Sequence, residues 1–175
     1  LLNNVCERNN DTGILLDESL YATMRDNVLF HTSRRIPEWE EEEESSGGFL
    51  ITGDEVEYWN THTISATNLV EGLPIRYLTD QAWDDGEGRG DGGPGGIGEC
   101  GSVSVTKIEW GDHMLILANC SHLEFVYLSF NDVSLGVLVG FSDNITLKRC
   151  QFEDNACGIR VFRSNDCLIT TSTFN

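Results

Sequence analysis

Residues 137–153 read Val-Leu-Val-Gly-Phe-Ser-Asp-Asn-Ile-Thr-Leu-Lys-Arg-Cys-Gln-Phe-Glu, and this stretch decides the fold because it recurs. Residues 115–131 and 159–175 align with it without a gap, the first 22 positions earlier and the second 22 positions later. Self-similarity at a fixed period is typical of repeat architectures, in which each unit buries its apolar face by stacking on its neighbours.

Each repeat shows the alternation expected of short strands. Apolar side chains stand at every second position of 137–139 and 145–147, and the residues between them are polar or able to face outward. This period of two is what a half-buried strand requires. The two runs are separated by Ser142-Asp143-Asn144, whose short polar side chains favour a turn. The pattern therefore predicts an all-β chain, a parallel β-helix (β-solenoid) with coils of about 22 residues and strands about 4.8 Å apart.

Stacking of these repeats predicts inward-facing columns of side chains. Residues 22 positions apart should lie above one another, because each coil repeats the geometry of the coil before it. One column is aromatic, and a second is aliphatic with a cysteine in its last repeat. The members of this predicted core ladder are Phe130, Phe152 and Phe174, and Leu123, Ile145 and Cys167.

The repeats resemble those of a known family. Residues 136–147 and 158–169 are similar to the parallel β-helix repeats of NosD-type proteins of archaeal and bacterial cell surfaces, and 5–16, 59–64 and 68–77 carry a similar pattern. The resemblance implies a right-handed parallel β-helix in a surface-exposed setting. It implies little about function, because the repeats are architectural.

We predict a single domain over residues 1–175, interrupted by two insertions. Residues 1–80 would form irregular N-terminal coils with an acidic insertion at 38–48, and residues 101–175 would form the regular coils after a glycine-rich loop at 81–100. The acidic insertion is a solvated loop or a calcium site, since clustered carboxylates bind hard cations. The glycine-rich loop lacks the Gly-Lys-Ser/Thr of a phosphate-binding loop.

Composition restricts the partners. Twenty-nine acidic against eleven basic side chains give a net charge of −18, which argues against nucleic acid and anionic lipid because both need a basic surface. No apolar run approaches the roughly 20 residues of a membrane span, so no transmembrane segment is predicted. The chain begins without Met, as a mature product would after removal of a targeting segment.

Cysteines and glycosylation sequons point to an extracellular or cell-envelope location. No CxxC pair occurs, and Cys150 and Cys167 fall at inward positions. The disulfide candidates lie at or near turns and loops, with their connectivity open. These candidates are Cys6, Cys100, Cys120 and Cys157, and the Asn-x-Ser/Thr sequons are at Asn10, Asn119 and Asn144.

The sequence contains no catalytic arrangement that we can identify. Asp143, Asp154 and Asp166 all fall at turns of the repeat, and no carboxylate pair at a fixed separation stands out. Copper donors are present at His113-Met114 and at Cys120 and His122, but His122 aligns with turn residues. We predict no catalytic, cofactor or metal site apart from the calcium alternative.

We therefore expect a non-enzymatic structural protein of the cell surface, of the surface-layer or sheath type. The chain ends on Phe174-Asn175 without a capping element, so identical subunits would stack head to tail, locked by disulfides. A carbohydrate-binding or polysaccharide-cleaving β-helix is one alternative, with surface glycans as partners and Trp39, Trp59, Trp83 and Trp110 as groove candidates. A copper-binding or other metal-binding periplasmic protein is the second, with cations as partners.

Overall fold

The computed structural model describes residues 1–7, 12–30, 48–79, 114–131 and 133–175, together with the backbone of 104–105. This part of the chain is built mainly of strands, with one short helix, α1 (Glu57–Asn60). The strands form five sheets, whose pairings are parallel with one exception. The all-β, largely parallel character predicted from the repeat is thereby confirmed.

The N-terminal strands already repeat a three-strand pattern. β1, β4 and β7 pair in parallel, as do β2 with β5 and β3 with β6. Partners lie 23 residues apart between β1 and β4. They lie 41 apart between β4 and β7 and 35 apart between β2 and β5, because residues 31–47 intervene there. The strands are β1 (Val5–Glu7), β2 (Ile14–Asp17), β3 (Thr23–Met24), β4 (Val28–Phe30), β5 (Phe49–Thr52), β6 (Thr63–Ile64) and β7 (Leu69–Val70). We call these strands the N-terminal stack.

The C-terminal strands carry the 22-residue register, which the pairing confirms. Leu115 pairs with Val137 and Val137 with Ile159. Phe130 pairs with Phe152 and Phe152 with Phe174. The strands are β8 (Leu73–Thr79), β9 (Ser104–Val105), β10 (Met114–Ala118), β11 (Ser121–Val126), β12 (Ser129–Asn131), β13 (Leu135–Gly140), β14 (Asp143–Lys148), β15 (Gln151–Glu153), β16 (Cys157–Phe162), β17 (Leu168–Thr170) and β18 (Thr173–Phe174). We call these strands the C-terminal stack.

The two stacks share one sheet but run in opposite directions. Its strand order is β1-β4-β7-β8-β10-β13-β16, and β7 and β8 are antiparallel. Glu71 and Gly72 join them with φ of 51° and 82°, the two positive values that a type I′ hairpin requires. The prediction of a wholly parallel arrangement is wrong at this junction. The division expected at 81–100 does not separate stacks either, because β8, before that segment, pairs with β10, after it.

The central strands β10 and β13 of the shared sheet are buried on both faces. Leu115, Leu117, Val137 and Val139 belong to one apolar cluster, inside the C-terminal stack. The intervening residues of the same strands belong to a second cluster, with the N-terminal stack: Met114, Ile116, Ala118 and Leu138. We predicted half-buried strands with outward-facing alternate residues, whereas 114–118 and 135–140 are buried throughout. A strand covered on both faces reads as a continuous apolar run.

Left-handed backbone positions recur with the repeat. Besides Asp154, nine described non-glycine residues of the C-terminal stack have φ between 43° and 64°. They fall at three equivalent places: Asn119, Phe141 and Arg163; His122, Asn144 and Asp166; and Tyr127, Arg149 and Thr171. His122, predicted as a turn residue, has this left-handed backbone but lies within β11, one residue after its start.

Candidate functional site

An open coil is the most distinctive surface of the described structure. β16, β17 and β18 pair with β13, β14 and β15, and each has a single strand neighbour within the described residues. Val161, Ile169 and Phe174 occupy the inward positions of this coil. We call these three residues the open rung. The columns they continue are Leu117–Val139–Val161, Phe125–Leu147–Ile169 and Phe130–Phe152–Phe174.

Exposure changes abruptly at the open rung. Val139, Leu147 and Phe152, one coil earlier, are 1%, 2% and 2% exposed, whereas the three open-rung residues are 46%, 42% and 53% exposed. The side-chain types and the register are comparable in the two coils, so the difference comes from the coil that covers one set and not the other. Apolar surface left in water in this way favours association with a matching surface.

Aromatic stacking leads directly to this surface. Phe130 and Phe152 stack with ring centroids 5.0 Å apart and 11° between their planes. Phe152 and Phe174 stack with centroids 4.6 Å apart and 4° between planes. Because one face of Phe174 lies against Phe152, its opposite face is where a further aromatic or aliphatic side chain would continue the column.

The predicted disulfide candidates are only partly described. Cys6, Cys120, Cys150, Cys157 and Cys167 form no disulfide with one another within the described chain, and Cys100 lies outside it. Pairing between copies at Cys6, Cys120 and Cys157 stays a prediction. Cys120 is buried, with its thiol directed at the carbonyl of Leu78 at 3.4 Å.

Cys167 is a correction to the predicted core ladder. Its neighbours in the column, Leu123 and Ile145, are buried, but Cys167 is exposed because it belongs to the open coil. Phe174, also predicted as core, is half-exposed for the same reason. Burial raises the pKa of the Cys150 thiol. Partial burial raises the pKa of the Cys167 thiol as well.

The donors proposed for copper do not come together. Met114 and Cys120 are buried in different apolar clusters, and His122 is exposed at a turn. No group of three or more His, Cys, Asp or Glu side chains with metal-ligand spacing occurs in the described ranges. His113 and all but Gly48 of the acidic insertion at 38–48, where calcium was considered, lie outside those ranges.

The tryptophans considered for carbohydrate binding and the glycosylation sequons also lie partly inside and partly outside the described residues. Trp59 is 2% exposed and cannot offer a ring to a glycan, while Trp39, Trp83 and Trp110 lie outside the described residues. The turn residues Asp143, Asp154 and Asp166 are exposed. Of the sequons, Asn144 is exposed and Asn119 half-buried, and Asn10 is not described.

A buried asparagine column in the N-terminal stack escaped the sequence analysis. The Asn27 Oδ1 accepts from the Asn4 backbone N–H at 3.0 Å and from its Nδ2 at 2.9 Å, and the Asn27 Nδ2 donates to the Asn68 Oδ1 at 2.7 Å. Asn68 in turn donates to the carbonyls of Met24 and Ser65. A recurring Asn before two apolar strand residues, at 4–6, 27–29 and 68–70, was the available pattern.

Comparisons with known proteins give no match. No family model matches the chain, and neither the curated proteins nor the solved structures include a significant relative. Across the described residues, the one helix is far shorter and less apolar than a membrane span requires.

Proposed function

We propose that this chain is a non-enzymatic structural protein that assembles by adding a second copy at the open rung. The observation that carries the proposal is the rise in exposure from 1–2% to 42–53% between one coil and the next. In this proposal the occupant is a second copy, because β1 and β16, the outermost strands of the shared sheet within the described residues, are two different surfaces that can pair with each other. Identical subunits joined through two different surfaces give rings or filaments.

The direction of these edge strands specifies the contact. β1 and β16 run in opposite directions, because the chain reverses between β7 and β8. Head-to-tail addition therefore places β1 of one copy antiparallel to β16 of the next. This repeats the pairing already present between β7 and β8 inside one chain. Val161 of the open rung lies on β16 itself, and the first coil of the next copy also exposes apolar residues, Leu1, Leu2 and Val5.

Both stacks are consistent with a solenoid of one hand. Reversing the strand direction alone would change the hand of winding, and so would moving the core to the other face of the sheet. Both changes occur at the β7–β8 junction, and together they preserve the hand. We propose that it is the right hand, as the resemblance to NosD-type repeats implies.

The cellular setting follows from the same resemblance and from composition. A net charge of −18 and exposed Asn144 in its sequon favour an extracellular or cell-envelope location. In this proposal stacking and strand pairing hold the assembly together, and disulfides between copies would reinforce it.

Sedimentation velocity over a concentration series, with electron microscopy of the same samples, tests the proposal. Under reducing conditions we expect rings or filaments that dissociate on dilution. Replacing Val161 and Ile169 with lysine should leave monomers, because two charges enter the contact. Thr146→Lys is the matched control, since Thr146 lies on the outer face of a central strand, between Glu124 and Leu168. A wild-type monomer at every concentration, or assembly insensitive to the double substitution, contradicts the proposal.

A further inference from the structure

Residues 53–62 connect the two stacks through side chains that the assembly proposal does not use. This segment, which we call the latch, contains helix α1. Trp59 of the latch is 2% exposed and stacks on Phe162 of β16, with ring centroids 5.5 Å apart and 8° between planes. Its indole N–H donates to the Gly53 carbonyl at 3.0 Å, and Tyr77 of β8 donates its hydroxyl to the Trp59 carbonyl.

A second contact holds the same side of the latch. The Arg163 guanidinium donates to the Asp54 carbonyl at 3.0 Å and lies over the Phe162 ring at 5.6 Å. Arg163 follows β16 directly, so this contact and the Trp59 contact attach the latch to the edge of the shared sheet. The latch is thus bound to the C-terminal stack by the buried Trp59 ring and by the Arg163 guanidinium.

One histidine, His62, connects the latch to the N-terminal stack. The His62 Nδ1 accepts from the Ala22 backbone N–H at 3.2 Å, and its Nε2 lies 2.8 Å from the Tyr58 carbonyl. A carbonyl can only accept, so Nε2 carries the proton, and Nδ1 must be unprotonated to accept from Ala22. Both contacts are therefore satisfied only by the neutral imidazole, in one tautomer.

We propose that the latch is released by acid: protonation of His62 breaks its bond to Ala22 and loosens α1, and with it Trp59, from the two stacks. A proton on Nδ1 would face the Ala22 N–H, so two donors would meet in a site that is 7% exposed. An unsatisfied buried donor, here on a charged ring, is destabilising.

The surroundings of His62 offer the imidazolium no compensation. The titratable side chains on the segments that hold it are Glu57 and Tyr58 of α1 and Tyr21 beside Ala22. Burial lowers the pKa of His62, the Tyr58 carbonyl opposes this, and no charged side chain in the described chain contributes. The stabilising contribution of neutral His62 is thus complete above its ordinary pKa of 6.5. It declines as the pH falls below 6.5 and is lost below the folded-state pKa.

Hydrogen exchange of the latch amides, corrected for the intrinsic pH dependence of exchange, tests the proposal between pH 7.5 and pH 5.5. In the wild type, acid should increase the equilibrium constant for local opening of the latch. The largest increase is about tenfold for each pH unit by which the folded-state pKa of His62 lies below 6.5. His62→Gln should show no such rise, because the glutamine amide accepts and donates at the same places without titrating. His122→Gln, at an exposed turn, should behave as the wild type.

A wild type without the rise, or the same rise in His62→Gln, overturns the proposal. If His62→Gln does not fold, a nitrogen NMR titration of the wild type decides the matter. We expect the Nε2-protonated tautomer and a pKa for His62 below its ordinary value of 6.5. A His62 pKa at or above 6.5, or the opposite tautomer, excludes an acid-released latch.

Discussion

The indole of Trp59 occupies the space that a side chain on Gly140 would fill: a Cβ atom built there stands 2.2 Å from Trp59 Cε3. Gly140 lies in register between Ala118 and Phe162. The missing side chain in the middle of this row is what admits Trp59 from the N-terminal stack. The two stacks therefore pack through one large residue placed over one absent side chain.

Gly140→Ala should destabilise the protein by about 1–3 kcal/mol, because over-packing forces Trp59 away from Phe162. Urea unfolding measures the loss, and near-ultraviolet circular dichroism reports the disturbed aromatic packing. Gly72→Ala is the control: nothing lies within 4 Å of its added Cβ, so its cost is backbone strain at φ 82° and the aromatic spectrum stays unchanged. Unaltered stability and spectrum in Gly140→Ala would show that Trp59 does not fill this space.

Phe152 should matter far more to stability than Phe174, although both belong to one column. Phe152 is enclosed between two rings, and its truncation to alanine should cost about 3–5 kcal/mol. Phe174→Ala should cost less than half as much in monomers, because more than half of that side chain is already in water. Urea unfolding of the two variants at a concentration that keeps them monomeric makes the comparison, and equal losses would contradict the stacking order.

Asn27→Ala should lower the free energy of unfolding by about 1–3 kcal/mol. The substitution removes the acceptor of two Asn4 donors and one of the two donors to the buried Asn68 Oδ1, which keeps only the backbone N–H of residue 27. Asn165→Ala, at an exposed turn, serves as the control and should change stability by no more than about 0.5 kcal/mol. If the two variants lose equal stability in urea, the asparagine column has no special role.

Thiol modification should follow burial in the C-terminal stack. Cys167 should react first with a maleimide, and Cys120 and Cys150 only after unfolding, because they are about 1% exposed. The pKa of Cys167 is raised, so its thiolate fraction increases over a higher pH range than that of a free thiol. The rate of maleimide labelling at Cys167 should therefore keep rising with pH after the labelling rate of a free thiol has become constant. Mass spectrometry of partly labelled protein measures the order of labelling. Early labelling of Cys120 would contradict its burial inside the C-terminal stack.

The C-terminal stack was predictable because its repeats are uninterrupted. Each of the columns through Val161, Ile169 and Phe174 repeats at 22 residues, so the register follows from alignment alone. The N-terminal stack has the same plan, but the segment 31–47 breaks its spacing. There only local patterns remain, such as the asparagine before each strand of the shared sheet.

The reversal at Glu71-Gly72 was harder to predict, because periodicity does not encode strand direction. A Glu-Gly pair is a weaker hairpin indication than Asn-Gly, although the turn has the same backbone requirement. The second apolar face of β10 and β13 did carry information. Ile116 and Leu138 are apolar where a solvent-facing strand would be polar, and a continuous apolar run indicates a strand covered on both sides. Contacts such as Trp59 over Gly140 join residues 81 positions apart and depend on that reversal.

Assembly through the open coil is tested most directly by hydrogen exchange at several protein concentrations. We predict that amides of 157–174 become more protected as concentration rises, because a second copy covers Val161 and pairs with β16. Amides of β11, which has a paired strand on each side, should keep the same protection throughout. Protection of 157–174 that does not depend on concentration, or a gain confined to another surface, would contradict the account.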